Sequence, residues 1–110
     1  MSAPLVPAVQ VADVAEDAYL LDVREDDEWA AGHAPGAHHL PMDTLRGRLH
    51  ELPIGREVVV VCRSGHRSAH VTAYLIGFGR PARNLEGGMQ AWRAAGRPMT
   101  GETGAAPTVI

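Results

Sequence analysis

Lysine is missing from this chain of 110 residues: all ten basic residues are arginines, and a single cysteine stands alone. The lack of lysine, by itself, excludes nothing. The lone cysteine excludes more: an internal disulfide, Cys-x-x-Cys redox chemistry and any zinc site built from several thiolates. No apolar stretch approaches the roughly 20 residues of a membrane-spanning helix. The opening Met-Ser-Ala-Pro-Leu-Val-Pro has neither the basic region nor the long apolar run of a secretory signal, so the expected compartment is the cytoplasm. A net charge of -3 gives no general attraction for nucleic acid or for an anionic membrane, and neither is expected as a partner.

The length predicts one domain with one core, here residues 1–99, and the chain alternates strand-like and helix-like segments. Leu5 to Pro7 reads as an edge strand, since Pro4 and Pro7 exclude a central one. Ala8 to Ala15 reads as a short helix. Tyr19 to Val23 is the first strong strand, and the acidic run Glu25 to Glu28 suits the first turn of a helix that Gly32 stops. Those acids are expected to form a solvated face. His38 to Leu40 reads as a short strand. Leu45, Leu49 and Leu52 have helical spacing over Thr44 to Leu52.

Val58 to Val61 is the clearest strand, a β-branched run of the kind buried inside a parallel sheet. Ala69 to Phe78 is the next helix, Ala82 to Leu85 a strand, and Met89 to Ala95 the last helix. Residues 100–110, rich in Gly, Ala, Thr and Pro, read as a mobile tail. Strands alternating with helices predict an α/β fold, a parallel sheet covered on both faces.

The candidate site is Cys62-Arg63-Ser64-Gly65-His66-Arg67-Ser68, between that central strand and the helix after it. In open α/β sheets, ligands bind at the carboxyl ends of strands. Turn amides and the helix dipole favour an anion there, and Arg63 and Arg67 add positive charge. All of these favour the thiolate of Cys62.

Four stretches together resemble the rhodanese family in its single-domain form: Leu21-Asp22-Val23-Arg24-Glu25 followed by Glu28-Trp29; Gly32-His33-Ala34-Pro35-Gly36-Ala37 running to Leu40-Pro41; Cys62 to Ser68; and Leu85-Glu86-Gly87-Gly88 to Trp92. The likeness covers about residues 5 to 99. Ala34 stands where Ile is commoner, and His38-His39 where Asn and an apolar residue are usual. The resemblance implies a three-layer α/β/α fold around a five-stranded parallel sheet, and sulfur transfer through a cysteine persulfide.

Loop length separates this chemistry from that of cysteine-dependent phosphatases and arsenate reductases. Their loop is Cys-x5-Arg; here four residues separate Cys62 from Arg67. The shorter loop makes a narrower ring of N–H groups, which suits the outer sulfur of a persulfide better than a tetrahedral oxyanion. In the expected reaction Cys62 takes sulfur from a small anionic donor such as thiosulfate. It then passes the sulfur to cyanide, a thiol or a protein acceptor.

In that reading the N–H groups from Arg63 to Ser68 hold the sulfur, Arg63 and Arg67 orient the donor, and His66 adds a donor or partial charge. Arg67 has a second reading, bracing the loop on Asp22 or Glu86. Asp22, Arg24 and Glu86 are expected as loop support. No cofactor is expected. His33, His38 and His39 do not have the spacing of a zinc site, and His33 is expected to bond backbone in its turn. Trp29 and Trp92 read as packing residues, and His50 and His70 carry no functional signal above helix packing. The alternative from another class is a non-catalytic rhodanese-like binding or regulatory module; the intact cysteine and Gly65-x-Arg67-Ser68 favour the enzyme.

Overall fold

The structure, a computed structural model, describes residues 3–110; Met1 and Ser2, the first positions of the expected domain, lie outside the described residues. Five parallel strands form one sheet: β1 (Ala8–Val9), β2 (Tyr19–Asp22), β3 (His38–His39), β4 (Val58–Val61) and β5 (Ala82–Leu85). Their order across the sheet is β1-β5-β4-β2-β3. The valine run is therefore central, and all four of its residues are buried. Side chains alternate between faces along a strand. Val58 and Val60 join Leu21, Val71 and Leu75 in one core, while Val59 and Val61 join Leu20, Met89 and Trp92 in the other.

Three helices cover these faces: α1 (Asp26–Ala31), α2 (His66–Gly77) and α3 (Gly88–Ala94). Helix α2 supplies Val71 and Leu75 to the first core; α3 supplies Met89 and Trp92 to the second. The expected three-layer α/β/α arrangement is present.

Local boundaries differ from expectation in four places. The edge strand is Ala8–Val9, not Leu5 to Pro7, because β5 reaches for it: Asn84 N–H donates to Pro7 O at 2.8 Å and Glu86 N–H to Val9 O at 2.9 Å. That pairing leaves only a 3-10 turn, Val11–Asp13, of the expected helix. Thr44 to Leu52 is not an α-helix either. Two 3-10 turns, Met42–Gly47 and Leu49–Glu51, meet at Arg48, with Gly47 lowering the helical preference between them. They still bury Leu45 and Leu52 in the first core.

Helix α2 begins three residues earlier than expected, because Gly65 at φ 102 adopts the left-handed conformation that glycine permits and so caps the helix inside the cysteine loop.

Residues 100–110, expected as a mobile tail, lie along α1 in the structure. Glu102 N–H donates to Ala30 O at 2.8 Å, Thr108 N–H donates to Ala31 O at 2.9 Å, and Val109 packs on the second core. Gly32 makes room for this strap: a Cβ there would lie 2.4 Å from Thr108 O. Gly32 also ends α1, as expected, but in extended backbone at φ 171.

Candidate active site

Cys62 follows directly on β4 and is 1% exposed. Its sulfur is turned toward polar groups. Gly65 N–H donates to Sγ at 3.1 Å, Ser68 N–H at 3.4 Å, and the Ser68 hydroxyl lies 3.2 Å away. Two of the loop amides thus reach the sulfur, fewer than the Arg63 to Ser68 set anticipated. Both depend on α2 starting early, since Ser68 N–H belongs to its first turn.

The amides point inward because the loop's carbonyls are held from behind. Met89 N–H donates to Cys62 O at 2.8 Å and Gln90 N–H to Arg63 O at 3.0 Å, both from the first turn of α3. The chain must pass very close at Gly88: a Cβ there would sit 2.4 Å from Cys62 O, at a φ of 57. This explains the paired glycines of Glu86-Gly87-Gly88 without any contact to a ligand.

Arg67 is braced, but on neither expected partner. Its Nη1 and Nη2 each donate to Glu28 at 2.8 Å, to Oε1 and Oε2 respectively. The side chains are 30% and 12% exposed, so Glu28 is not part of a solvated face. Glu28 also receives the Glu25 N–H in a capping box that opens α1. The Arg67 hydrogen bonds hold the Glu28 carboxyl below the usual carboxylate range, and the same pair raises Arg67 further above its usual value. Asp22 pairs with Arg24 instead: Arg24 Nε donates to Oδ1 at 2.9 Å and Nη2 to Oδ2 at 2.7 Å, with both side chains buried. Arg24 Nη2 also donates to Gly32 O at 2.8 Å, which ties the end of β2 to the end of α1.

Glu86 gives the loop no side-chain support. It is exposed, and among the described residues its side chain makes no hydrogen bond or ion pair. Its place is taken by Asn84, which the sequence reading did not single out. Asn84 Nδ2 donates to Gly65 O at 3.0 Å, and Asn84 Oδ1 accepts the Ser68 hydroxyl at 2.5 Å. Period-2 alternation places Asn84 on the Cys62 side of the sheet. A polar residue at a buried strand position beside the valine run was the available signal.

Arg63, Ser64 and His66 are exposed at the loop, and Arg63 has no ion-pair partner among the described residues. His66 does not bond the sulfur; its ring meets that of His70 edge-on, 5.2 Å between centroids. A cavity of about 400 Å³ lies one turn along α2, with His70, Tyr74, Met42 and Arg46 in its walls. Three other histidines stack on aromatic rings, His38 on Tyr19 and two more on Trp29. Trp29 is stacked between His33 and His39, at 3.5 and 4.7 Å, and His33 Nδ1 lies 2.7 Å from Trp29 O. Among the described residues no three or more His, Cys, Asp or Glu side chains form a metal-binding group, and no helix is long and apolar enough to cross a membrane.

The sequence pattern of the rhodanese-like domain matches residues 8–95. The chain belongs to the rhodanese-like domain family. It is 43% identical over 83 residues to a putative sulfurtransferase, YtwF, of Bacillus subtilis, covering 76% of this chain and 81% of that protein. It is 44% identical over 91 residues to a sulfurtransferase of Allochromatium vinosum, covering 81% and 84%. The fold is similar to that of a rhodanese-related protein from Thermoplasma volcanium, with a TM-score of 0.81, 30% identity, and coverage of 86% and 98%. These relatives support a sulfurtransferase-like role for the chain.

Proposed function

We propose that this rhodanese-like protein moves sulfane sulfur through a persulfide on Cys62. The observation that carries the reading is the set of donors converging on one sulfur, the Gly65 and Ser68 amides and the Ser68 hydroxyl, all within the seven residues from Cys62 to Ser68. The Cys62 thiolate attacks the outer sulfur of thiosulfate. The sulfur–sulfur bond breaks, its electron pair leaves with sulfite, and Cys62 holds a persulfide whose charge lies on the outer atom. An acceptor thiolate or cyanide then attacks that outer sulfur, and the Cys62 thiolate returns.

Arg63, which pairs with no carboxylate among the described residues, draws in the anionic donor. Arg67 is committed to Glu28, so its fork is not free to grip an oxyanion in two-pronged fashion. That supports sulfur transfer over phosphate or arsenate chemistry. The limited exposure of Cys62 favours donors with a slender terminal sulfur.

Mass spectrometry after thiosulfate treatment tests this. The expected result is one added sulfur, located on Cys62, removed by cyanide and lost in Cys62→Ala. An unchanged mass across thiosulfate, mercaptopyruvate and glutathione persulfide, with turnover of an aryl phosphate instead, would overturn it.

A further inference from the structure

The Ser68 hydroxyl has one proton and two acceptors. Asn84 Oδ1 lies 2.5 Å from it and Cys62 Sγ 3.2 Å, and Cys62, Ser68 and Asn84 are all buried. Asn84 is oriented by its own amide, since Nδ2 donates to Gly65 O at 3.0 Å and so turns Oδ1 toward Ser68. Among the described residues Oδ1 receives no hydrogen bond other than the Ser68 one.

We propose that Asn84 is a positioning residue that governs the Cys62 sulfur by competing with it for the Ser68 proton. When Cys62 is a thiol, every group is satisfied: S–H donates to Ser68 Oγ, and Ser68 O–H donates to Asn84 Oδ1. When Cys62 is a thiolate, the sulfur calls for the hydroxyl proton, and giving it leaves Asn84 Oδ1 buried without a donor, at a cost comparable to the hydrogen bond gained. When the sulfur carries a second sulfur, it becomes a two-bonded atom like a thioether and accepts only weakly. The hydroxyl then returns to Asn84.

The thiolate is the one state in which this triad is frustrated. Asn84 therefore lifts the thiolate relative to both the thiol and the persulfide. It keeps the nucleophile reactive, since over-stabilised thiolates attack slowly, and it makes loading with sulfur more favourable. The persulfide half rests on the proposed sulfur transfer; the thiol half does not.

The charged and titratable groups near the loop are Arg63 within it, His66 and Arg67 of α2 with His70 beside His66, Glu28 behind Arg67 with Glu25 at the same end of α1, the Asp22–Arg24 pair at the end of β2, and exposed Glu86 after β5. α3 brings none to the loop, where its contacts are the Met89 and Gln90 amides. All of these remain in place when Ser68 or Asn84 is replaced.

The test is the ultraviolet titration of the thiolate, an unambiguous signal in a chain with one cysteine. Asn84→Ala releases the hydroxyl to the sulfur and is expected to lower the titration midpoint by about one pH unit, roughly tenfold in acidity. Asn84→Asp pulls harder on the same proton and is expected to raise it. Ser68→Ala is expected to raise it as well, and in that background Asn84→Ala should change nothing further. A merely structural role, through the Gly65 carbonyl, would give the same shift with or without Ser68. That result, or Asn84→Ala and Asn84→Asp moving the midpoint in one direction, would overturn the proposal. Asn84→Val, better suited to a strand, carries the same expectation where Asn84→Ala fails to fold. If thiosulfate adds no sulfur to the wild type while the midpoints move as expected, sulfur transfer fails and the control of the thiol by Asn84 stands.

Discussion

Glu28 and Arg67 close a two-pronged ion pair across 39 positions of sequence, tying the first helix to the cysteine loop. One end of the bridge caps α1 and the other lies in the first turn of α2. Glu28→Gln keeps the shape and removes the charge. It is expected to lower stability by about 1 kcal/mol, the upper range for a partly exposed pair, and to reduce turnover by loosening the loop. The pH dependence follows from the lowered Glu28 carboxyl. Its contribution is fully present above the ordinary glutamate value and is lost as pH falls through the lower, folded-state value. Thermal unfolding of wild type and Glu28→Gln should therefore differ at neutral pH and converge in strong acid.

Gly88→Ala probes the approach of α3 to the loop. The new Cβ would meet Cys62 O at 2.4 Å and Arg63 C at 2.7 Å, in a left-handed backbone that alanine disfavours. Expected are a loss of about 2–3 kcal/mol in urea unfolding and a larger fractional loss of sulfur loading than Gly36→Ala. Gly36 also has positive φ, but nothing within 4 Å of its added Cβ.

Arg24→Met leaves the buried Asp22 carboxylate without its partner, and Arg24 Nη1, a buried nitrogen with no hydrogen-bond partner among the described residues, disappears with it. Breaking such a pair costs about 3–5 kcal/mol, whereas replacing both members with apolar residues often costs far less. Denaturant titration of Arg24→Met and of Asp22→Leu with Arg24→Met should show the double variant recovering much of the loss. A double variant no more stable than the single one would mean that the bond from Arg24 to Gly32 O carries more than the pairing with Asp22.

Removing residues 100–110 strips the hydrogen bonds to Ala30 and Ala31 and the cover over Gly32. It also uncovers the part of the second core under Val109. A loss of about 1–2 kcal/mol is expected, seen as a Tm lower by roughly 5–10 °C. Sulfur loading should also weaken, since α1 carries the Glu28 end of the bridge. A truncated chain with unchanged Tm would show that the strap adds nothing to the fold.

The sheet was legible because its strands declare themselves: Val58 to Val61 has no other plausible place than the centre, and Tyr19 to Asp22 pairs with it over its full length. The loop was legible from the spacing of Cys62 and Arg67. What escaped the sequence were relationships that only packing decides. The sequence suggested two carboxylates for Arg67, Asp22 and Glu86, and the fold brings it Glu28 instead. Asn84 looked like one polar residue in a short strand until the register set it beside Val60, two residues before the cysteine. The leucines 45, 49 and 52 carried an α-helical period, yet the segment forms two 3-10 turns, with Leu45 in the first and Leu52 just after the second still in the core. The strap could not be read because its bonds to α1 use main-chain amides, which leave no mark on residue identity.

The loop takes its aim from what comes after it in the chain. A nascent chain extended only through α2 would contain every residue from Cys62 to Ser68, yet neither the asparagine that holds Ser68 nor the amides that hold the carbonyls of Cys62 and Arg63. Its loop would have nothing behind it to turn the amides toward the sulfur. That aim arrives only with the insertion of β5 and the docking of α3, so an incompletely synthesised or partly unfolded molecule carries the cysteine without its ring of donors.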